Sequence, residues 1–150
     1  MGTITRFEEI EAWQSARELA NLAYGLSDGG RFARDFGLRD QMRRAAVSVM
    51  SNIAEGFESR TQAMFLDFLG RAKGSAGEVR AQAYIALDRD YITQPQFDQL
   101  FGLAEKCSRQ ISRFMSYLEH YPSNQRVRED RVEYDVETFN IQTFERANHD

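Results

Sequence analysis

The sequence predicts an all-α protein, an antiparallel up-and-down four-helix bundle followed by a short C-terminal tail. Four stretches repeat apolar residues at spacings of three and four, which is the period of a helix with one buried face. The chain has 150 residues, and its two prolines and single cysteine do not suit a loop-rich or disulfide-stapled fold. Because four amphipathic helices with short connections bury their apolar faces against one another, we expect one bundle over residues 1–121.

The first two helices are predicted from apolar stripes in the N-terminal half. The first runs from about residue 7 to residue 27, after Thr5 and Glu8 in the spacing of a capping box. Residues 28–37 show no sustained period, and we expect an irregular connection there. The second helix covers residues 38–57. The two stripes consist of Phe7, Ile10, Trp13, Ala16, Ala20, Ala23 and Tyr24, and of Leu38, Met42, Ala45, Val49, Ile53 and Phe57.

Two longer helices follow, each preceded by a possible capping box. Ser59 and Gln62 precede the third helix, which ends near Arg89, and Thr93 and Gln96 precede the fourth, which closes at residues 121–122. The stripes are Phe65, Phe68, Leu69, Ala72, Ala76, Val79, Ala83 and Ala86, and Phe97, Leu100, Phe101, Ala104, Cys107, Ile111, Phe114 and Leu118. No strand is needed to complete this fold.

Residues 122–150 form an acidic tail with a different composition. From residue 121 onward there are four arginines and seven acidic residues, so 4 minus 7 gives −3 of the net charge of −4 and leaves −1 for residues 1–120. Val132, Tyr134 and Val136 alternate with charged residues as in a strand, but a lone strand has no ladder partner. Two hypotheses follow: a mobile tail, or a segment docked on its own bundle or on a partner.

The sequence offers little for catalysis, and we expect no enzyme, no cofactor and no metal. His120 and His149 lie at a helix end and in the tail, and the Glu-x-x-His pairs of di-iron bundles are absent. Cys107 falls on the apolar stripe and is expected to be a core thiol. There is no phosphate-binding loop, no secretory signal and no apolar run near the roughly 20 residues that span a membrane. We therefore expect a cytoplasmic protein without membrane contact.

The third helix contains a line of small residues that needs an explanation. Gly70, Gly74 and Gly77 each cost the helix about 1 kcal/mol relative to alanine, and Ala81 extends the line. At about 100° per residue, Gly70 is rotated about 200° from Ala72 on the core stripe, so the line faces away from the core. We favour a contact that lets a helix of another subunit approach closely. The alternative is a solvated, glycine-rich face.

Two polar features accompany the second helix. Gln41, Arg44, Ser48, Asn52 and Glu55 recur at spacings of three or four, and we call them the polar line. One hypothesis is that these residues face water or a subunit boundary, where Asn52 and Glu55 are the candidate interface residues. The other is that they contact a ligand.

Residues 31–44 hold five arginines and two aspartates, with Phe32 and Phe36 interleaved. This composition suits either a solvated basic face or contact with nucleic acid. The spacing of Asp40 and Arg44 allows a pair across one turn, which would neutralise part of this basic segment.

Residues 38–56, with the sequence LRDQMRRAAVSVMSNIAEG, strongly resemble the four-helix-bundle family of bacterial proteins encoded within intervening sequences of 23S ribosomal RNA genes, also labelled S23 ribosomal protein. The resemblance extends to residues 7–14 and 68–75 and to Glu78, and it covers about residues 6–119. It implies a homopentameric bundle without enzymatic activity. The architecture is also similar to that of the accessory proteins of diversity-generating retroelements, which bind a reverse transcriptase and nucleic acid.

The hypothesis that follows is a non-enzymatic, homo-oligomeric bundle that acts as an RNA-binding or ribonucleoprotein accessory protein, with DNA as another possible ligand. The alternative is a scaffold that recruits a protein such as a reverse transcriptase through its oligomer surface or its tail. The candidate phosphate contacts are Arg39, Arg43, Arg44, Arg60, Arg71, Lys73 and Arg80. The candidate oligomer contacts are Gly70, Gly74, Gly77, Ala81, Asn52 and Glu55.

Overall fold

The computed structural model of the chain confirms a helical bundle. It describes residues 3–120 and 134–135. In chain order the elements are β1 (Thr3–Ile4), a 3-10 turn (Phe7–Glu9), α1 (Glu11–Leu26), α2 (Gly30–Arg34), α3 (Phe36–Glu58), α4 (Gln62–Asp88), α5 (Gln94–His120) and β2 (Tyr134–Asp135). The four long helices match the four predicted stripes, and the short helix α2 is an addition.

The long helices form a closed ring of neighbours in which α1 and α4 each pack against both α3 and α5. Gln62 at the start of α4 donates to the carbonyl oxygen of Leu118 at the end of α5, so these two helices are antiparallel. Ser75 in the middle of α4 donates to Ser48 in the middle of α3 over 3.0 Å. This contact fits the antiparallel pairing that the short connection between α3 and α4 predicts.

The core lies along the axis of the bundle and is rich in alanine. Small side chains let helix backbones approach, and larger residues between them fill the remaining space. Most members of the predicted stripes are buried, and Cys107 is fully buried as predicted. Tyr24 is an exception because 48% of its surface is exposed. It lies on the border of the α1 stripe, where its ring supports the guanidinium of Arg43 at 4.5 Å.

The first helix differs from its prediction at the N-terminus. Residues 7–9 form a separate 3-10 turn, and Ile10 adopts an extended conformation with φ −73° and ψ 121° before α1 begins at Glu11. The side chain of Ile10 is nevertheless buried, as its place on the apolar stripe predicts. The acidic partner of Thr5 is Glu9 and not Glu8, since Glu9 accepts from both the backbone N–H and the hydroxyl of Thr5.

The predicted irregular connection at residues 28–37 is wrong in part, because it contains α2 and the start of α3. Asp35 caps α3 by accepting from the N–H of Leu38 over 3.1 Å. At the next connection the capping residue is Thr61, which accepts from Met64, and not Ser59. The third box is confirmed: the N–H of Thr93 donates to Gln96 and the N–H of Gln96 donates to Thr93.

One part of the tail pairs with the N-terminus of the chain. Ile4 lies opposite Tyr134 and Thr3 opposite Asp135 in a two-residue antiparallel ladder. The side chain of Ile4 is buried against the bundle. The remaining residues of the predicted tail, including Val132, Val136 and His149, lie outside the described part of the chain, so its two hypotheses stay open.

Candidate interaction surfaces on α3 and α4

The small residues of α4 lie on its outward face, as predicted. Gly70, Gly74 and Ala81 are exposed, whereas Ala72, Ala76 and the other stripe residues are buried on the opposite side. A Cβ atom added at Gly70 or Gly74 would have open space around it. At Gly77 it would lie 3.8 Å from the guanidinium of Arg80. No contact within the bundle therefore requires the glycines at positions 70 and 74.

The strip continues into exposed apolar side chains at the C-terminal end of α4. Tyr84 and Ile85 are each about half exposed, at 51% and 50%. Tyr84 belongs to an aromatic cluster, with its ring centroid 5.0 Å from that of Phe97 and 5.7 Å from that of Phe101. The cluster holds Tyr84 in place, which makes this end of the strip a firm apolar surface.

The polar line of α3 is built on hydrogen bonds between small side chains. The amide of Asn52 donates to both the hydroxyl and the carbonyl oxygen of Ser48, at 2.9 and 2.8 Å. The Ser48 hydroxyl also accepts from Ser75 of α4. The network fixes Ser48 and Asn52, the centre of the polar line, against α4. Arg44 and Glu55 lie about one helical turn to either side of this centre.

Two recesses lie along this line. The larger has a volume of about 650 Å³ and the smaller about 270 Å³, and both are lined by Arg44 and Ser48. Asn52 and Glu55 extend the larger recess, with Tyr24 as an aromatic wall. The smaller recess is closed by residues of α4, Ser75 and Glu78. Gln41 borders only the smaller recess. Every residue of the polar line thus borders a recess, whereas the sequence predicted only an ambiguous helix face.

The basic residues at the start of α3 are held by contacts within the chain. Arg43 donates to the hydroxyl and the carbonyl oxygen of Ser27, at 2.8 and 3.2 Å. Arg39 donates to the carbonyl oxygen of Ala33 and pairs with Asp40, both at 2.9 Å. Asp40 therefore pairs with its neighbour Arg39 and not with Arg44, the partner that helical spacing also allows.

The arginines and phenylalanines of residues 31–44 also have structural partners. Arg31 donates to the carbonyl oxygen of Arg89 over 2.9 Å, and Phe32 is buried and stacked on Tyr91. Phe36 is exposed, and the guanidinium of Arg39 lies 4.8 Å from its ring centre. This segment therefore fastens α2 and α3 to the turn between α4 and α5.

The other candidate phosphate contacts are spread over the molecule. Arg71 pairs with Asp67 at 3.0 Å, and the partly buried Arg80 lies over the ring of Phe101. Arg60 and Lys73 are exposed, and like Arg44 they form no ion pair with a described residue. Since α3 from residue 39 to residue 58 is about 28 Å long, Arg39 and Arg60 lie near opposite ends of the bundle.

Groups that carry out catalysis are sparse in residues 3–120. Burial raises the pKa of the Cys107 thiol to about 12, which keeps the sulfur protonated and poorly nucleophilic. His120 is exposed at the end of α5, where its ring contacts the carbonyl oxygen of Ser116. No set of three or more potential metal ligands comes together in the described residues.

The described helices include none with the length and apolar character needed to cross a membrane.

Together these features define a class of protein: a four-helix bundle with one side-chain-poor helix face and one polar, recessed face next to it. A model of the 23S rRNA-intervening sequence protein family matches residues 8–113, and the chain belongs to this family. The predicted resemblance is therefore confirmed.

The fold is also found in a solved structure from Bacteroides thetaiotaomicron, a protein with unknown function from the S23 ribosomal protein family. The TM-score is 0.63 at 20% sequence identity, and the match covers 70% of this chain and 95% of that one. No curated protein matches the chain.

Proposed function

We propose that this chain is a non-enzymatic helical bundle that self-associates and acts as an accessory protein of a ribonucleoprotein, with RNA as its ligand. The observation that carries the proposal is the outward face of α4, where Gly70 and Gly74 lower helix stability without any benefit inside the bundle. A contact outside the bundle accounts for this cost. The family resemblance supports a homopentamer, and the single cysteine suits the reducing cytoplasm.

RNA contact rests on exposed cations that have no carboxylate partner. Among the candidate contacts, Arg44, Arg60 and Lys73 meet this condition with respect to the described residues, but Arg44 shares its recess with the acidic Asp40 and Glu55. Arg39, Arg43 and Arg71 are engaged in contacts within the chain. Because residues 1–120 carry a net charge of only −1, local cations can reach phosphate groups without strong overall repulsion. We therefore assign the main phosphate contacts to Arg60 and Lys73, which do not share the recess that holds Asp40 and Glu55.

The test uses neutral variants and salt. In the Arg60→Gln, Lys73→Gln double variant, two phosphate contacts are lost, so the slope of log K against log salt for a structured RNA should decrease by about 1.4 to 1.8. The matched control is Arg109→Gln, which removes a cation that is paired with Glu105 on α5. A gel-retardation series at several salt concentrations measures both slopes. RNA that is not retained by the unaltered chain even at low salt would refute the proposal.

A scaffold that recruits a protein is the second candidate, and the exposed Tyr84 and Ile85 favour it. Half-exposed apolar side chains next to a flat helix strip are typical of protein contacts. Co-purification with a reverse transcriptase, with and without residues 122–150, distinguishes the two candidates. Loss of the partner on truncation with unchanged RNA retention would assign recruitment to the tail.

A further inference from the structure

We propose that the larger recess beside α3 binds an unpaired guanine base, whose edges contact Asp40 and Arg44 and whose faces contact Tyr24 and Val47. The inference rests on the proposed function, because it takes the guanine from the RNA ligand, and it deepens that function by naming the base. Two observations carry it: an acid and an arginine one turn apart that do not pair with each other, and the apolar side chains that line the same recess.

Asp40 and Arg44 lie one helical turn apart on α3, and both are exposed. Asp40 contacts Arg39 through Oδ1 at 2.9 Å, while Arg44 forms no ion pair with a described residue. The same spacing of an acid and an arginine on α5 does give an ion pair, at 2.7 Å between Glu105 and Arg109. On α3, therefore, Oδ2 of the aspartate and the whole guanidinium are left for a ligand.

Guanine carries the groups that match this arrangement. One of its edges presents the acceptors O6 and N7, with which an arginine forms two parallel hydrogen bonds. The adjoining edge presents the donors N1–H and N2–H, from which the two oxygens of a carboxylate accept. Side chains four residues apart on a helix are neighbours about 6 Å apart, so Asp40 and Arg44 reach adjoining edges of one base. Adenine, cytosine and uracil each offer the carboxylate only one donor group.

Tyr24 and Val47 supply apolar contacts for the faces of the base. Both line the recess, and 48% and 36% of their surfaces are exposed. The guanidinium of Arg43 lies 4.5 Å from the ring centre of Tyr24 and supports this ring. Proteins bind unpaired RNA bases in this way, with the faces against aromatic side chains and the edges hydrogen-bonded. The volume of about 650 Å³ is in the range of pockets that hold small ligands, so one nucleotide fits.

The acidic groups of the recess favour a base over a phosphate as its occupant. Asp40 and Glu55 repel a phosphate group, whereas an uncharged base supplies hydrogen-bond donors to Asp40. Arg60 and Lys73, the proposed phosphate contacts, do not line the recess. Phosphate contacts position an RNA and base contacts determine its sequence, so the two sets of residues have separate roles.

Short RNAs test the choice of base. The probe has one guanine between two uridines on each side, and three further RNAs carry adenine, cytosine or uracil in its place. The unaltered chain should bind the guanine RNA at least about tenfold more tightly than the others, as one bidentate contact predicts. Fluorescence anisotropy of the labelled RNAs measures the dissociation constants. Equal affinity for all four RNAs, or preference for another base, overturns the inference.

Base analogues assign the two contacts. Hypoxanthine lacks the N2 amino group and 7-deazaguanine lacks the N7 acceptor, so each should bind the unaltered chain about fivefold more weakly than guanine. Asp40→Asn should abolish the difference between guanine and hypoxanthine and retain the one for 7-deazaguanine, and Arg44→Gln should do the reverse. A purely structural role would leave both differences in place, which overturns the assignment. The controls Glu105→Gln and Arg109→Gln alter the paired acid and arginine of α5 and should retain both differences.

Guanosine monophosphate identifies the source of the base and separates the two possible failures. Much weaker binding of this nucleotide than of the guanine RNA supports an RNA ligand. If the nucleotide binds and none of the RNAs does, the recess is a guanine site but the proposed function is wrong. If the RNAs bind without preference for guanine, the proposed function stands and this inference is overturned.

Discussion

At Gly56 the backbone of α3 lies directly against aromatic side chains of α4. A Cβ atom at this position would lie 2.7 Å from a ring carbon of Phe65 and 2.8 Å from the Cβ of Phe68. Neither distance is tolerated, and the Cβ of Phe68 is fixed by its own helix. This glycine is therefore required by close helix packing, unlike the exposed glycines at positions 70 and 74.

We expect Gly56→Ala to lower the free energy of unfolding by about 1 to 2 kcal/mol, because overpacking outweighs the helix-propensity gain of about 1 kcal/mol. Gly102→Ala is the matched control, since its Cβ would enter open space on α5, and it should raise stability by up to about 1 kcal/mol. Guanidinium denaturation measures both variants. If the two variants were equally stable, α3 and α4 would have moved apart to admit the new Cβ atom at position 56 without a loss of stability.

At the scale of the elements, the apolar period predicts the four long helices well, while their ends depend on backbone conformation and capping contacts that the period does not reveal. Ile10 is buried, as its place on the stripe predicts, yet its backbone is extended, so the period predicts the direction of its side chain but not the start of the helix. The cap of α3 was missed because Asp35 lies in a segment without a period. The Thr93–Gln96 box was predictable because both partners are local.

Asp35 connects two elements, and its removal should cost more than an ordinary cap. One carboxylate oxygen accepts from the N–H of Leu38, and the other accepts from the hydroxyl of Tyr91 over 3.0 Å. We expect Asp35→Ala to lower the free energy of unfolding by about 2 kcal/mol, from a cap and a hydrogen bond of about 1 kcal/mol each. Tyr91→Phe removes only the second contact and Thr93→Ala only a different cap, so each should cost about half as much.

Thermal and guanidinium unfolding of the three variants provide the measurement. If Asp35→Ala costs no more than Thr93→Ala, then the Tyr91 hydroxyl contributes nothing to the connection between α3 and the turn before α5.

At the scale of the whole molecule, the sequence predicts which face of each helix is buried but not which exposed groups are engaged. Helical periodicity placed the α4 glycines outward, and the structure agrees. The partners of Arg39 and Arg43 lie in other elements, so their engagement was invisible in the sequence. The same holds for Ser75 and Glu78, which complete the recesses of the polar line and which no motif on α3 indicates.

The proposed assembly makes the final prediction, because the α4 strip can serve a second subunit only while it stays flat. We expect Gly74→Leu to abolish or strongly reduce the assembly, since the new side chain would stand between two helix backbones. The same change should leave the single bundle intact or raise its unfolding free energy by about 1 kcal/mol, as leucine is the better helix former and meets no neighbour there.

Light scattering measures the mass of the assembly, and guanidinium denaturation measures the stability of the bundle. Gly102→Leu, an equal change in open space on α5, should leave the mass unaltered. A full assembly in Gly74→Leu would show that the strip is solvated, and the cost of its glycines would then lack a structural reason.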